Sequence, residues 1–179
     1  MLEIYTARLL LRDLVGDDWR AIDAMSRAPE VTCFQTWLRV DGEAEARQWV
    51  ERAIYHNQLP AREAYNLAVV RRDTQATIGW LGWGRPSDPA QGDYSFGYAL
   101  LPSAWGCGYM TEALQAAVGY MFDRLAASRV VGECVARNVA SARVMEQAGL
   151  TRAAEWDEPD EATGTVERHY RYIATQKEK

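Results

Sequence analysis

Cysteine and histidine are scarce in this sequence: three cysteines, Cys33, Cys107 and Cys134, and two histidines, His56 and His169. The cysteines lie far apart and no Cys-x-x-Cys occurs, so neither a disulfide framework nor a zinc site is indicated, and a reducing cytoplasm fits best. No run approaches the roughly 20 apolar residues of a membrane span. The charged start, with Glu3, Arg8, Arg12 and Asp13, is not a signal peptide, so no membrane partner is expected. Basic charge is not in excess either. Lys and Arg total 20 against 25 Asp and Glu, a net charge of −5, which argues against a nucleic-acid surface. Repeats and low-complexity segments are missing. So is Gly-x-x-x-x-Gly-Lys-Ser/Thr, and the dinucleotide fingerprint fails where Thr111 replaces its third glycine.

What is present is organised around Asp93 to Tyr120. Tyr94, Phe96, Tyr98 and Leu100 alternate with Ser95, Gly97 and Ala99, the period of a strand. From Met110 the spacing becomes helical, with Ala113, Leu114, Ala117, Val118 and Met121 on one stripe. Pro102 ends the strand, and Gly106 and Gly108 free the backbone of the connection. A glycine-bearing turn entering a helix offers unpaired N–H groups and the positive end of a dipole, as a phosphate site does. The residues alone equally allow a turn that binds nothing.

At 179 residues the length fits one domain, taken as 1–175, with a polar tail, 176–179, that frays. Leu2 to Leu14 reads as a first strand. Asp17 and Asp18 open a helix through Trp19, Ile22 and Met25 that Pro29 stops, and Val31 to Val40 is irregular. A second helix starts at Asp41-Gly42-Glu43. Tyr65–Val70 and Thr77–Trp83 read as a hairpin, and Gly84 to Gly92 as an exposed loop. Beyond the central unit come a strand from Arg129 to Ala136 and a helix from Val139 to Ala148, ended by Gly149. Leu150–Trp156 and Thr165–Ile173 are two last strands around an acidic loop, Asp157 to Gly164. The fold class is α/β (α+β), a mixed, mostly antiparallel sheet of about seven strands with helices on both faces. Parallel pairing is expected across the central strand–helix–strand unit.

The segments GYALLPSAWGCGYMTEAL and ARNVASARVMEQAGL, with TARLLLRDL near the start and IGWLGW in the middle, resemble the GNAT superfamily of acetyl-CoA-dependent N-acyltransferases. The likeness covers roughly the whole chain and is closest to the ribosomal-protein alanine acetyltransferases of the RimJ/RimL kind. It implies two central strands that splay apart to hold the pantetheine arm, with the coenzyme pyrophosphate on a Gln/Arg-x-x-Gly-x-Gly/Ala loop. That loop is Ser103-Ala-Trp-Gly106-Cys-Gly108 here, so its first position departs while the amides remain. The implied acetyl-CoA contacts are Tyr98, Ala99 and Leu100 on the strand, Trp105, Gly106, Cys107, Gly108, Tyr109 and Met110 on the loop and helix start, and Asn138 and Ser141 beyond. Acetyl-CoA is the co-substrate, and no metal is needed.

Transfer to an amine requires a neutral nitrogen, while an α-amine titrates near 8 and a lysine near 10.4, so a base helps. Glu133, the charged residue among Val131, Cys134 and Val135, stands where the resembling enzymes carry a catalytic glutamate; a surface carboxylate is the plain alternative. Asp93, at the start of the central strand, is the second candidate for the base and is expected to meet the acceptor. Asn138 followed by Ser141 reads physically as a helix cap, and the resemblance implies pantetheine contact for Asn138 and protonation of the departing thiolate by Ser141. Other branches place a tyrosine acid seven residues after the asparagine, which is Met145 here. Glu112 complements the helix dipole, Cys107 fills a variable place, and His169 is more readily structural. Trp37 is expected at the acceptor cleft. Glu155, Asp157, Glu158, Asp160 and Glu161 would form an acidic rim facing a cationic amine. The acceptor is a protein N-terminus or a small-molecule amine, and the chain a monomer or homodimer. A catalytically silent acyl-CoA sensor or scaffold, and a nucleotide-phosphate binder using the same turn, are the other readings.

Overall fold

The structure is a computed structural model that describes residues 1–86, 92–159 and 165–176. Eight strands form one sheet: β1 (Glu3–Tyr5), β2 (Leu9–Asp13), β3 (Ala64–Arg71), β4 (Thr77–Gly84), β5 (Tyr94–Leu100), β6 (Arg129–Val135), β7 (Thr151–Pro159) and β8 (Val166–Thr175). Their spatial order is β1-β2-β3-β4-β5-β6-β8-β7, antiparallel throughout except for β5 beside β6. The helices are α1 (Trp19–Ser26), the single turn α2 (Pro29–Thr32), α3 (Gly42–Gln58), α4 (Tyr109–Arg124) and α5 (Val139–Gln147). Pro29, read from sequence as a stop, also starts α2, since its ring suits the first helical position.

The eighth strand comes from the segment expected as one strand, Leu2 to Leu14. It folds back on itself: the Leu9 amide donates to Thr6 Oγ1 at 2.8 Å and the Thr6 amide to the Leu9 carbonyl at 2.9 Å. Glu3 then lies opposite Arg12, and Tyr5 opposite Leu10.

The alternation along β5 divides the protein into two apolar layers. Tyr94 and Leu100 join a core that holds the α4 stripe of Met110, Ala113, Leu114, Ala117, Val118 and Met121, with Met145 from α5. Ala99 faces the other layer with Trp80, Ile22 and Met25 of α1, and Ala46, Val50 and Ala53 of α3. Each buried Leu, Met or Val side chain contributes about 1.5–3 kcal/mol, so these stripes, rather than helix propensity, hold the helices on the sheet.

The central irregularity is the parallel pair. β5 and β6 are in register only at Tyr94 with Val130 and Ser95 with Val131, although β5 continues to Leu100 and β6 to Val135. Beyond those two residues the strands part. Close packing on each side leaves little room beside the opening. A Cβ on Gly132 would meet the Phe96 ring at 2.3 Å and Met145 Sδ at 2.8 Å. Gly82 and Gly97 lie opposite each other in the β4–β5 register, and the Trp80 indole rests across them.

A Cβ at Gly82 would lie 2.3 Å from that indole. Gly82→Ala therefore lowers unfolding stability by about 1–3 kcal/mol, the usual cost of overpacking a tight core, which denaturant titration measures directly.

Candidate active site

Where β5 leaves β6, its outward backbone groups lose their ladder and find other partners. Gln35 Nε2 donates to the Tyr98 carbonyl at 3.1 Å, and the Trp105 indole N–H donates to the Leu100 carbonyl at 3.0 Å. In a strand, the N–H and C=O of one residue point to the same side. The amides of Tyr98 and Leu100 therefore face the opening, away from β4. Ala99, with the opposite parity, turns its backbone to β4 and buries its side chain, so it is not on the open edge.

The opening leads at one end to the loop before α4. Gly106 and Gly108 have φ of +72° and +74°, the left-handed region that glycine enters at no steric cost. Alternation of such residues with ordinary ones forms a concave nest of amides at the helix start. Trp105 and Cys107 are exposed there, whereas Met110 is buried in the α4 stripe and offers packing rather than a side-chain contact. On α5, Asn138 Oδ1 accepts the Ser141 amide at 3.1 Å, the cap its spacing suggested. Ser141 Oγ lies 2.8 Å from the Tyr98 hydroxyl, which also donates to the Ser141 carbonyl at 3.2 Å. Burial pushes the Tyr98 phenol far above its ordinary value, so it stays protonated. Burial likewise raises the neighbouring Cys134 thiol to about 11, against a hydrogen bond from Ser141 that lowers it. Met145, one turn on from Ser141, is core.

On the opposite face, a cleft of about 320 Å³ is lined by Gln35, Trp37, Ser95, Gly97, Val131 and Glu133, among others. Trp37 is half exposed and packs edge-on to Trp80 with centroids 4.9 Å apart. Glu133 Oε1 accepts from Arg171 Nε at 2.7 Å, leaving its second oxygen free of that pair. Arg171 lies over Trp156, which stacks on His169.

Asp93 is not among the cleft residues. Its Oδ2 accepts the amides of Ser128 at 2.5 Å and Arg129 at 2.9 Å, closing the α4–β6 connection onto the start of β5. The acidic rim is only partly described. Glu155 pairs with Arg152, Asp157 pairs with Arg168, and Glu158 accepts from Trp156, while Asp160 and Glu161 lie outside the described residues. Among the described residues no group of three or more His, Cys, Asp or Glu could hold a metal, and no helix is long and apolar enough to cross a membrane. Gln35 and Arg171 escaped the reading of the sequence. Their partners are 63 and 38 residues away, and no local pattern marks them.

Residues 8–151 match the family described as Acetyltransferase (GNAT) domain. An uncharacterized N-acetyltransferase, YnaD of Bacillus subtilis, is 27% identical over 158 residues, 84% of each chain. The structure of RimL, a ribosomal L7/L12 alpha-N-protein acetyltransferase in complex with coenzyme A, superposes with a TM-score of 0.82 at 20% identity, over 97% of this chain and 98% of that one. A spermidine N-acetyltransferase from Vibrio cholerae, in complex with coenzyme A and spermine, superposes at 0.78 with 16% identity, over 96% and 97%.

The two amides hold the Asp93 carboxyl below its ordinary value, Arg129 contributing most. A depressed carboxyl stabilises the fold above the unfolded value, near 3.9, and that contribution fades as pH falls through the folded value. Asp93→Ala thus melts earlier than wild type at pH 7. The gap between the two melting temperatures narrows on acidification below about pH 4, which scanning calorimetry across pH resolves.

Proposed function

The chain belongs to the GNAT acetyltransferase domain family, and from that premise we propose that it moves the acetyl group of acetyl-CoA to a primary amine by direct attack in a ternary complex. The observation that carries this reading is the opening between β5 and β6, with the Tyr98 and Leu100 amides turned into it and an amide nest at its end. An extended thiol arm fits such a slot, and a pyrophosphate fits the nest. The acceptor enters from the cleft between Trp37 and Glu133 on the other face. Relatives in fold act on a ribosomal protein N-terminus and on spermidine, which supports amines of either kind.

The residues then divide the work. Glu133 takes the proton that the amine must lose, with Arg171 fixing one of its oxygens. The Tyr98 amide stabilises the oxyanion, a role worth about 3–4 kcal/mol where single donors have been removed. As nitrogen bonds to the acetyl carbon and the carbon–sulfur bond breaks, the Ser141 hydroxyl donates to the departing thiolate. Its own oxygen lies 2.8 Å from the Tyr98 hydroxyl, a pair in which either group can donate. Tyr98 thus brings a phenol to α5 one turn before Met145, on a helix that lacks the tyrosine at that place.

Thiol release with an amine panel, together with calorimetric titration of coenzyme A, tests the assignment. Glu133→Gln lowers kcat by about 10²–10³-fold, within the range for lost general-base catalysis, and leaves coenzyme A binding intact. Ser141→Ala costs about five- to tenfold, as one net hydrogen bond would. Wild type that binds coenzyme A and acetylates no amine points to a silent acyl-CoA module. Variants that keep full kcat/KM at every pH overturn the roles.

A further inference from the structure

Arg8, just before β2, reaches across to α4 and the loop before it and makes four contacts there. Its Nη1 donates to the Cys107 carbonyl at 2.9 Å, and its Nε to Glu112 Oε2 at 2.6 Å. Its backbone amide donates to Glu112 Oε1 at 2.8 Å, and its guanidinium lies 4.7 Å from the centre of the Tyr109 ring. Thr6 Oγ1 adds a third bond to the Glu112 carboxylate, at 2.6 Å. The turn that splits the first segment into β1 and β2 is what aims these groups at α4.

Two physical consequences follow for an anion at this loop. In a trans peptide the carbonyl and the following N–H point in opposite directions, and no cis bond occurs among the described residues. By holding the Cys107 carbonyl on its own side, Arg8 presents the Gly108 N–H on the other. This matters most between two left-handed glycines, where the 107–108 peptide plane would otherwise turn freely. The second consequence is electrostatic. Glu112 stands in the first turn of α4, where an uncompensated carboxylate would repel a phosphate. Its burial favours the neutral form, but the bonds from Thr6 and Arg8 outweigh that and hold it below the ordinary carboxylate range. It is therefore charged, and Arg8 is the cation that neutralises it.

We propose that Arg8 is a positioning residue for the pyrophosphate loop, setting the Gly108 amide and cancelling the Glu112 charge. The proposal rests on the reading that this loop takes the coenzyme's pyrophosphate. It gives a catalytic reason for the latch between the N-terminal hairpin and α4.

The test compares acetyl-CoA with acetyl-pantetheine, which has the thioester arm and no pyrophosphate. Arg8→Ala raises KM for acetyl-CoA at least tenfold more than KM for acetyl-pantetheine, and lowers kcat less than it raises KM. Arg8→Lys, which keeps the charge but cannot reach both Cys107 and Glu112 in one fork, falls between. Adding Glu112→Gln to Arg8→Ala recovers part of the lost affinity, because the unpaired carboxylate is gone. An equal rise in KM for both substrates, or no rise for either, overturns the proposal and leaves the latch purely structural; thermal melts of the lysine variant control for folding. Wild type that binds no coenzyme A overturns the proposed function and this inference with it.

Discussion

The molecule depends on one interrupted hydrogen-bond ladder. Two parallel strands begin together at Tyr94 and Ser95 and separate at once. A buried backbone cannot leave its polar groups unpaired, so the separation persists only because other groups take over. Gln35 supplies one donor from the segment after α2, and the Trp105 indole another from the loop before α4. The carbonyls of the open edge are satisfied by these side chains, and its amides are left facing a gap. An opening made in this way is a built feature of the sheet, since two side chains distant in sequence are placed to keep it.

The same logic extends to what surrounds the gap. Glycines at 82, 97 and 132 allow the Trp80 and Phe96 rings to lie flat against strands, which sets walls close to the opening on both faces. On the α5 side the wall carries hydroxyls, Ser141 and Tyr98; on the other it carries an indole and a paired carboxylate. A thioester held between the strands would thus have hydroxyls on one face and a carboxylate on the other. GNAT membership and this two-faced arrangement agree on acetyl transfer to an amine.

Much of this was legible in the sequence, where the signal is local. The Tyr94–Leu100 alternation, the α4 stripe and the Asn138–Ser141 cap each need only neighbours within a few positions, and each is found in the structure. The first segment misled because its apolar run concealed a turn: Thr6 makes a side-chain bond to Leu9, a competition between hydroxyl and ladder that spacing does not display. Gln35, Arg171 and Arg8 were illegible for a different reason. Each acts on a partner brought near only by the finished sheet, and a polar residue in a loop or on a strand looks the same whether or not it has such a partner. Glu112 shows the limit well. Its place in the first helical turn suggested a dipole partner, and the structure keeps it there and adds Arg8 and Thr6, which the sequence did not show.

The most direct test of the central claim is amide hydrogen exchange, followed peptide by peptide, with coenzyme A and separately with ADP. If the open edge of β5 receives the pantetheine arm, coenzyme A slows exchange across both residues 96–101 and residues 105–110, while ADP slows only the second segment. Unchanged exchange over residues 96–101 in saturating coenzyme A would contradict the account, because the amides of Tyr98 and Leu100 would then face a gap that the coenzyme never enters.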